Sequence, residues 1–326
     1  MLKLNPFRRN RTLGLDVGSH SIKWAVVDSS RREILEMGTQ PLFPERTRFH
    51  QVMPEDLWQQ RVVQALQQIP GEVTDIITVL QGRTTACGYL EFPLLPEQEL
   101  RVAVQAEAQQ WIPFTTEATQ FSFSYIPAVT RAAATGIFYA AALRAQVDRL
   151  QGALQQAELI PDRMEIPALA LAREFALNHS PPKEKFYGLV HVGFSLSHFV
   201  VVRDGYPYFA RDFSPGASHF IYALQAQEGC SWNEAQQRLQ SADFRHWSLL
   251  PPLLRLGEAL RRSLEFSGAQ LDGVFLSGGI AGLSLSTALS QAFGGVVELD
   301  DWTGLRDHVG VSPASPYKLA VGLAVS

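Results

Sequence analysis

The chain has 326 residues, of which 46% are hydrophobic, and a formal net charge of -4. This length and apolar content predict a globular protein with a large core and two domains. The acidic balance argues against a general nucleic-acid binder, and the widely separated Cys87 and Cys230 exclude a disulfide framework or a thiolate metal site. The cysteine usage fits a reducing compartment, and no apolar run reaches the ~18 residues of a membrane span, so we expect a cytosolic protein.

The amino-terminal tail carries four basic residues among large apolar ones within residues 2–11. Such a tail is either a solvated terminus or a weak contact for anionic lipid. The sequence leaves both interpretations open.

The first part of the chain is predicted to be a β-β-β-α-β unit. Residues 12–28, "TLGLDVGSHSIKWAVVD", form two strands joined by a turn, and residues 32–43 form a third strand. Residues 54–69 have helical spacing, and residues 75–81, "DIITVLQ", form a short buried strand.

The block from about Cys87 to about Ile160 has a different pattern. It predicts a helix at 97–112, strands at 117–128 and 136–143, and a helix at 145–159. This order indicates a small α/β subdomain inserted into the first part of the chain.

The strand-turn-strand plan returns at residues 186–218, "FYGLVHVGFSLSHFVVVRDGYPYFARDFSPGAS". Residues 271–293 then give a strand that delivers a double glycine to the start of an amphipathic helix, and residues 317–326 form a closing small-residue helix. The similar plans predict an internal duplication, and the fold class is α/β.

The first turn, "LDVGSHSIK", carries an acid at the end of a strand. Gly18 allows a close backbone approach, Lys23 supplies a positive charge, and Asp16 would face a phosphate only through a cation or an ordered water. A hairpin with a capping aspartate explains the same stretch, so it needs partners elsewhere in the chain.

Those partners give the sequence its resemblance to the actin-like ATPase superfamily. "GLDVGSHSIK" resembles the first phosphate loop, "VHVGFSLSHFVV" the second, and "LSGGIAGL" the adenosine loop. The resemblance narrows to the PilM family of type IV pilus assembly through "LEFPLLPEQELRVAVQAEAQQWIPF", "FARDFSPGAS" and "SPYKLAVGLAVS", and it runs from Leu13 to the end of the chain.

The resemblance implies an actin-like fold, in which duplicated ribonuclease H-like domains surround a nucleotide cleft. It places the first domain at residues 1–86 and 161–185, with an inserted FtsA/PilM-type α/β subdomain at 87–160. The second domain would occupy residues 186–326 and include a helical subdomain at about 216–265.

The same resemblance implies a site for ATP with Mg²⁺. Its binding residues would be Asp16, Gly18, Ser19, Lys23, Gly193, Arg238, Gly278 and Gly279. Asp16 would be the magnesium ligand, and Arg238 stands where the family has a lysine. No catalytic residue is assigned.

The second phosphate loop departs from the family pattern, because His191 replaces the aspartate that helps to hold hydrated magnesium. The loss of this carboxylate favours a weak ATPase or a pseudo-ATPase. His191 is either a hydrogen-bonded histidine at a strand end or a substitute base. His198, farther along the loop, faces the cleft if strand alternation points it there.

The resemblance implies a cytosolic scaffold that binds the amino-terminal tail of a PilN-like inner-membrane protein, in a groove formed partly by the insertion. Other pilus assembly proteins would be further partners, and contact with the cytoplasmic face of the inner membrane would be indirect. A small-molecule kinase of the same superfamily and an FtsA-like division protein are the alternatives. A kinase requires an aspartate base in the cleft, and the FtsA type ordinarily carries a carboxyl-terminal amphipathic helix.

Overall fold

The structure, a computed structural model, describes residues 11–42, 55–67, 69, 73–128, 133–307, 309 and 315–325. The basic tail up to residue 10, and the two interpretations of it, lie outside the described residues. Among the described residues, no helix combines the length and the apolar character that crossing a membrane requires.

The elements of the first part of the chain follow in sequence order. They are β1 (Arg11–Val17), β2 (Ser21–Asp28), β3 (Glu33–Pro41), α1 (Glu55–Leu66), β4 (Asp75–Val79), β5 (Thr85–Pro93), α2 (Glu97–Gln109), β6 (Thr119–Ile126), β7 (Ala134–Leu143), α3 (Arg144–Gln156), β8 (Arg163–Glu165) and α4 (Pro167–His179).

The second part continues the same numbering. Its elements are β9 (Phe186–Val192), β10 (Ser197–Arg203), β11 (Tyr206–Phe213), α5 (Ala217–Glu228), α6 (Trp232–Gln240), α7 (Leu250–Ser267), β12 (Gly273–Gly278), α8 (Leu283–Phe293), β13 (Glu298–Leu299), β14 (Arg306–Asp307) and α9 (Lys318–Ala324), with a 3₁₀ turn at Ser315–Tyr317 before α9.

Two large sheets repeat one topology. The first sheet has the order β14-β3-β2-β1-β4-β8, and the second has the order β11-β10-β9-β12-β13. In each sheet the first three strands in chain order are antiparallel neighbours. The next two strands, β4 and β8 or β12 and β13, add in parallel on the other side. The predicted internal duplication is therefore confirmed, with β14 as an additional edge strand of the first sheet.

The central strands of the second sheet are apolar on both faces because helices cover both faces. Val190 and Phe199 belong to one core with Phe220 of α5 and Leu256 of α7. On the opposite face, Val200 and its neighbours pack against α4. This double cover explains the nearly continuous buried run of β10.

The insertion forms a third sheet of order β5-β7-β6, with α2 packed on one face. The sequence analysis did not predict β5, which pairs with β7 over its whole length. None of its residues is buried and there is no alternation of buried and exposed positions, so the period-2 signal of a strand is missing. The helix α3, assigned from sequence to the insertion, packs with α1 on the core of the first sheet through Leu150 and Leu154.

The helices α4 and α9 cross between the two large sheets. A Cβ on Gly322 of α9 would lie 2.1 Å from the carbonyl oxygen of Ala170 in α4, and a Cβ on Gly14 of β1 would lie 1.9 Å from the carbonyl oxygen of Ala320. Glycine at these positions therefore permits the closest backbone approach, and α9 is held against both α4 and β1.

Candidate functional site

Two hairpin turns of equal length meet at the edge where the two large sheets face each other. Asp16 lies opposite Lys23 across the β1–β2 pair, and His191 lies opposite His198 across the β9–β10 pair. The register makes His191 the structural counterpart of Asp16, and His198 the counterpart of Lys23.

Each turn depends on one glycine. A Cβ on Gly18 would lie 2.9 Å from the carbonyl oxygen of Ser21, and a Cβ on Gly193 would lie 2.7 Å from that of Leu196. Both separations are shorter than side-chain carbons tolerate, so a larger residue would force either turn open.

The tips of the two turns contact each other. Ser19 and Ser195 share a hydrogen bond of 2.7 Å between their hydroxyl oxygens, and the rings of His20 and Phe194 stack with centroids 4.2 Å apart. Burial lowers the pKa of His20, and the charge of Lys23 lowers it further. A neutral His20 therefore stacks on Phe194 and joins the two halves of the molecule.

A cavity of about 850 Å³ lies beside this contact. This volume is within the range of roughly 300–1,000 Å³ found for small-ligand sites. Five of the predicted site residues line it: Asp16, Gly18, Ser19, Lys23 and Gly193. Gly279 also lines it, together with residues 280–285, whereas the other two predicted site residues, Arg238 and Gly278, do not. We call this cavity the cleft.

Asp16 is buried at the floor of the cleft. Gln81 Nε2 donates a hydrogen bond of 2.9 Å to Asp16 Oδ1, and the same amide nitrogen donates to the carbonyl oxygen of Val17. The second carboxylate oxygen lies 3.7 Å from Lys23 Nζ. Both oxygens of Asp16 therefore have partners within the protein.

His191 is buried at the end of β9 and shares a hydrogen bond of 2.9 Å between its Nδ1 and Ser277 Oγ. Burial lowers the pKa of His191 well below its usual value, and the charges of His198 and Lys23 lower it further. His191 is therefore a neutral, hydrogen-bonded residue of the strand end, as one of the two sequence interpretations held.

His198 has the opposite electrostatic setting, although its ring centroid lies only 6.1 Å from that of His191. Its Nδ1 donates a hydrogen bond of 2.7 Å to Asp212 Oδ1. Burial lowers the pKa of His198, but the charge and hydrogen bond of Asp212 and the charge of Asp16 outweigh it, so the pKa is raised. Alternation along β10 does bring this side chain to the cleft, which it lines.

The double glycine lies at the end of β12, where Gly279 lines the cleft and Gly278 does not. Gly278 has φ +116°, and a Cβ there would lie 2.2 Å from the carbonyl oxygen of Val192. A Cβ on Gly279 would meet no atom within 4 Å, and the same is true of Gly282. The chain thus needs glycine at 278 for its own packing, whereas 279 and 282 leave open space beside the backbone.

The family of the chain follows from a comparison of sequence models. Residues 14–301 match the model described as "Type IV pilus assembly protein PilM". The chain belongs to the PilM family.

Solved structures share the fold of this PilM family member. The structure of a "PilM-PilN type IV pilus biogenesis complex" matches with a TM-score of 0.80 and 22% identity, over 98% of each chain. The ethanolamine utilization protein EutJ from Carboxydothermus hydrogenoformans matches with a TM-score of 0.60 and 14% identity, over 98% of this chain and 91% of its own. These likenesses confirm the predicted actin-like fold.

Arg238 does not join the other predicted site residues. It lies on α6, and its guanidinium Nη1 is 2.6 Å from Glu228 Oε2. Gln236 and Gln240 of the same helix line the cleft, and Arg238 is not among the lining residues. The structure therefore places Arg238 outside the group of predicted residues that line the cleft.

The sequence did not predict one aromatic and one basic side chain of the cleft. Arg149 of α3 lies over the ring of Trp58 of α1, with its guanidinium carbon 3.7 Å from the ring centroid, and both line the cleft. No local motif marks them, because they meet only when α1 and α3 pack together. Gln81 was also missed, although a polar residue two positions after a buried strand beside β1 is a detectable signal.

The residues of the cleft suit a nucleotide better than a divalent cation. The open corner at Gly279 and Gly282 and the cavity volume fit a nucleoside phosphate. Magnesium at a nucleotide site is usually held by one or two carboxylates, with phosphates and waters completing the coordination. Among the described residues no cluster of three metal-ligating side chains occurs, and the oxygens of Asp16 already have partners. One carboxylate whose two oxygens are already paired is therefore a poor donor set for magnesium.

A second cavity of about 440 Å³ lies behind the second turn. Its walls come from the β4–β5 turn and the start of β5, the start of α4, and the strands β10 and β11. His198 lines both this cavity and the cleft, while its partner Asp212 lines the second cavity. The His198–Asp212 pair thus forms part of the wall between the two cavities.

Proposed function

We propose that the protein is a nucleotide-binding scaffold of type IV pilus assembly that anchors the amino-terminal tail of a PilN-like inner-membrane protein. The observation that carries the nucleotide part is the cleft, where two glycine turns of one duplicated design face an open double-glycine corner. Membership of the PilM family supports the pilus part.

In this proposal the two turns hold the phosphates and the corner at Gly279 accepts the base and ribose. Glycine turns of this kind present backbone dipoles to a concavity, which suits phosphate oxygens. Isothermal titration of the protein with ATP and with ADP measures the affinity directly. A protein that binds neither nucleotide would contradict the proposal.

We further propose that hydrolysis is negligible. His191 is neutral and its Nδ1 is held by Ser277, so neither a carboxylate for metal nor a base with a free Nδ1 stands at this position. Binding groups stabilise the ground state, whereas the missing carboxylate matters when water must be positioned and charge moves in the transition state.

Phosphate release by the native protein and by H191D tests this step, with H191N as the neutral control of similar size. We expect no sustained turnover from the native protein and the control. If native protein turns over ATP at rates typical of enzymes and H191D adds nothing, the proposal of a pseudo-ATPase fails.

For the peptide, we propose a groove between the first actin-like domain and the insertion, with the second cavity as the part of it that β10 and β11 also line. It combines apolar wall residues such as Ile166 and Ala210 with the charged Arg83 and Arg211. An extended tail with apolar and acidic or carbonyl groups would match that lining. The PilM-PilN complex with a TM-score of 0.80 supports a partner of this kind for the family fold.

The test is titration with the amino-terminal peptide of the PilN-like protein from the same organism. A210W fills the cavity and should abolish the binding heat, whereas A226W, on an exposed position of α5, should preserve it. Peptide binding that survives A210W would place the groove elsewhere, and no heat with native protein would count against the partner.

The location proposed for the protein follows from this partner. We propose that it is peripheral at the cytoplasmic face of the inner membrane and reaches that face through the PilN-like tail. Co-expression with the partner should move the protein from the soluble to the membrane fraction, and A210W should reverse the shift.

A kinase is less well supported, since Asp16 is the one carboxylate among the described residues that line the cleft.

A further inference from the structure

The charges around the cleft are unusual for a magnesium-nucleotide site. Among the described residues that line it, Asp16 is the one carboxylate, while Lys23 and Arg149 carry fixed positive charges. The chain as a whole has a formal net charge of -4. The cleft is thus a basic region in an acidic protein, and it favours a ligand with high negative charge.

The Asp16 carboxylate is compensated before any ligand enters. Lys23 faces one of its oxygens at 3.7 Å, and Gln81 donates to the other at 2.9 Å. A divalent cation at Asp16 would have to displace the Gln81 amide and would then lie close to the Lys23 ammonium. Both changes cost free energy, which weakens the attraction of this single carboxylate for magnesium.

The second turn offers no replacement ligand on the opposite side. His191 is the register counterpart of Asp16, and its Nδ1 is held by Ser277 at 2.9 Å. Magnesium prefers oxygen ligands, so an imidazole at this place does not restore the lost coordination. The described cleft therefore offers magnesium one carboxylate, already paired with Lys23 and Gln81, and the remaining ligands would have to come from the phosphates and water.

We propose that the cleft binds a nucleoside triphosphate as the metal-free polyanion, with Lys23 and Arg149 supplying the positive charge that magnesium supplies elsewhere. This inference rests on the proposed nucleotide-binding function. A free triphosphate carries more negative charge than its magnesium complex, so the basic lining favours the free form. The ammonium of Lys23 lies where the two turns face each other, next to the Gly18 turn that would hold the phosphates.

The experiment titrates the native protein with ATP by calorimetry, once with excess EDTA and once with excess magnesium chloride at matched ionic strength. We expect the dissociation constant in magnesium to be equal to or larger than that in EDTA. A magnesium-dependent tightening of about tenfold or more would overturn the inference. Thermal stabilisation by ATP in EDTA provides a second measurement that does not depend on calorimetric heat.

The two proposals fail in different ways. ATP that binds only with magnesium would overturn this inference and leave the nucleotide function intact. ATP that binds in neither solution would overturn both proposals together.

Two variants test the residues. K23M should weaken ATP binding in EDTA by about tenfold or more, whereas K185M, which removes a lysine paired with Asp272 outside the cleft, should change it little. H191D supplies the missing carboxylate and should make binding tighter in magnesium than in EDTA, while H191N should not. A folded H191D that still ignores magnesium would count against the assigned role of position 191.

Discussion

Gly278 and Gly279 are adjacent in the sequence but have different roles. A side chain at 278 would need a φ of +116° and would lie 2.2 Å from the Val192 carbonyl oxygen, whereas 279 has open space. G278A should therefore lower the free energy of unfolding by about 2 kcal/mol or more. G279A should leave stability unchanged and weaken ATP binding, because its methyl group enters the space left for the ligand.

Urea denaturation and ATP titration of the two variants separate these effects. A destabilised G279A, or a G279A that binds ATP with native affinity, would contradict the assignment of this corner to the ligand. The sequence motif "SGG" predicted that both glycines approach a nucleotide. Their different roles depend on the end of β9, which a motif alone does not reveal.

A buried ionic cluster lies where α4 meets α9. Lys318 Nζ donates to Glu174 Oε1 at 2.8 Å and to Asp300 Oδ1 at 2.7 Å, and His179 also contacts Asp300. Burial and the charge of Asp300 raise the pKa of Glu174 to about 8, against the lowering effect of Lys318. The sequence did not predict this cluster, because its residues are far apart in the chain.

The raised pKa of Glu174 predicts a pH-dependent stability. Between the ordinary pKa of 4.5 and the folded value of about 8, the folded protein holds a proton that the unfolded chain has lost. This contribution is full below the lower value and disappears as pH rises through the upper one. Native stability should therefore decline relative to E174Q across this window, as measured by urea denaturation. Parallel pH profiles for the two proteins would contradict the raised pKa.

At the scale of elements, periodicity predicted the helices and strands whose apolar residues recur at a regular spacing. The strands β1, β2, β9 and β10 and the turns between them were predicted because their apolar runs end at glycine. The strand β5 was missed because none of its residues is buried, and the position of α3 was missed because the partner of its apolar face is α1, elsewhere in the chain. Arg238 was predicted as a site residue from its family position, and the structure shows it paired with Glu228 outside the lining of the cleft.

The crossing of α4 and α9 gives a prediction about backbone approach. A Cβ on Gly322 would lie 2.1 Å from the Ala170 carbonyl oxygen, so G322A should force the helices apart and lower the free energy of unfolding by about 1–3 kcal/mol. The matched control is G152A in α3, where a Cβ would meet no atom closer than 4.0 Å. Alanine has the higher helix propensity, so G152A should stabilise the protein by about 0.5–1 kcal/mol.

Thermal and urea denaturation of both variants measure the difference. If G322A is as stable as G152A, the helix crossing must relax more easily than the close contact indicates. If G322A is destabilised but retains its ATP affinity, the contact between α4 and α9 contributes to stability alone. A G322A variant that loses affinity as well would show that the spacing of α4 and α9 also sets the geometry of the cleft.

At the scale of the whole molecule, duplication explains why the site lies between the halves. The strand β1 of the first sheet and the strand β9 of the second each lead into a glycine turn. The register places Asp16 and His191 in corresponding positions. The sequence predicted two such turns, but it could not predict that their tips touch. That contact, Ser19 with Ser195 and His20 with Phe194, depends on how α4 and α9 hold the two sheets together.

The touching tips predict a way to lock the cleft. The hydroxyl oxygens of Ser19 and Ser195 are 2.7 Å apart, so the double variant S19C/S195C places two thiols within reach of a disulfide. If the two halves must separate at the tips for a nucleotide to leave, oxidation after loading with ATP should slow its release, and reduction should restore it. The single variants S19C and S195C control for each substitution alone. Equal release rates for the oxidised and reduced double variant, with the disulfide verified by mass spectrometry, would show that nucleotide leaves by another route.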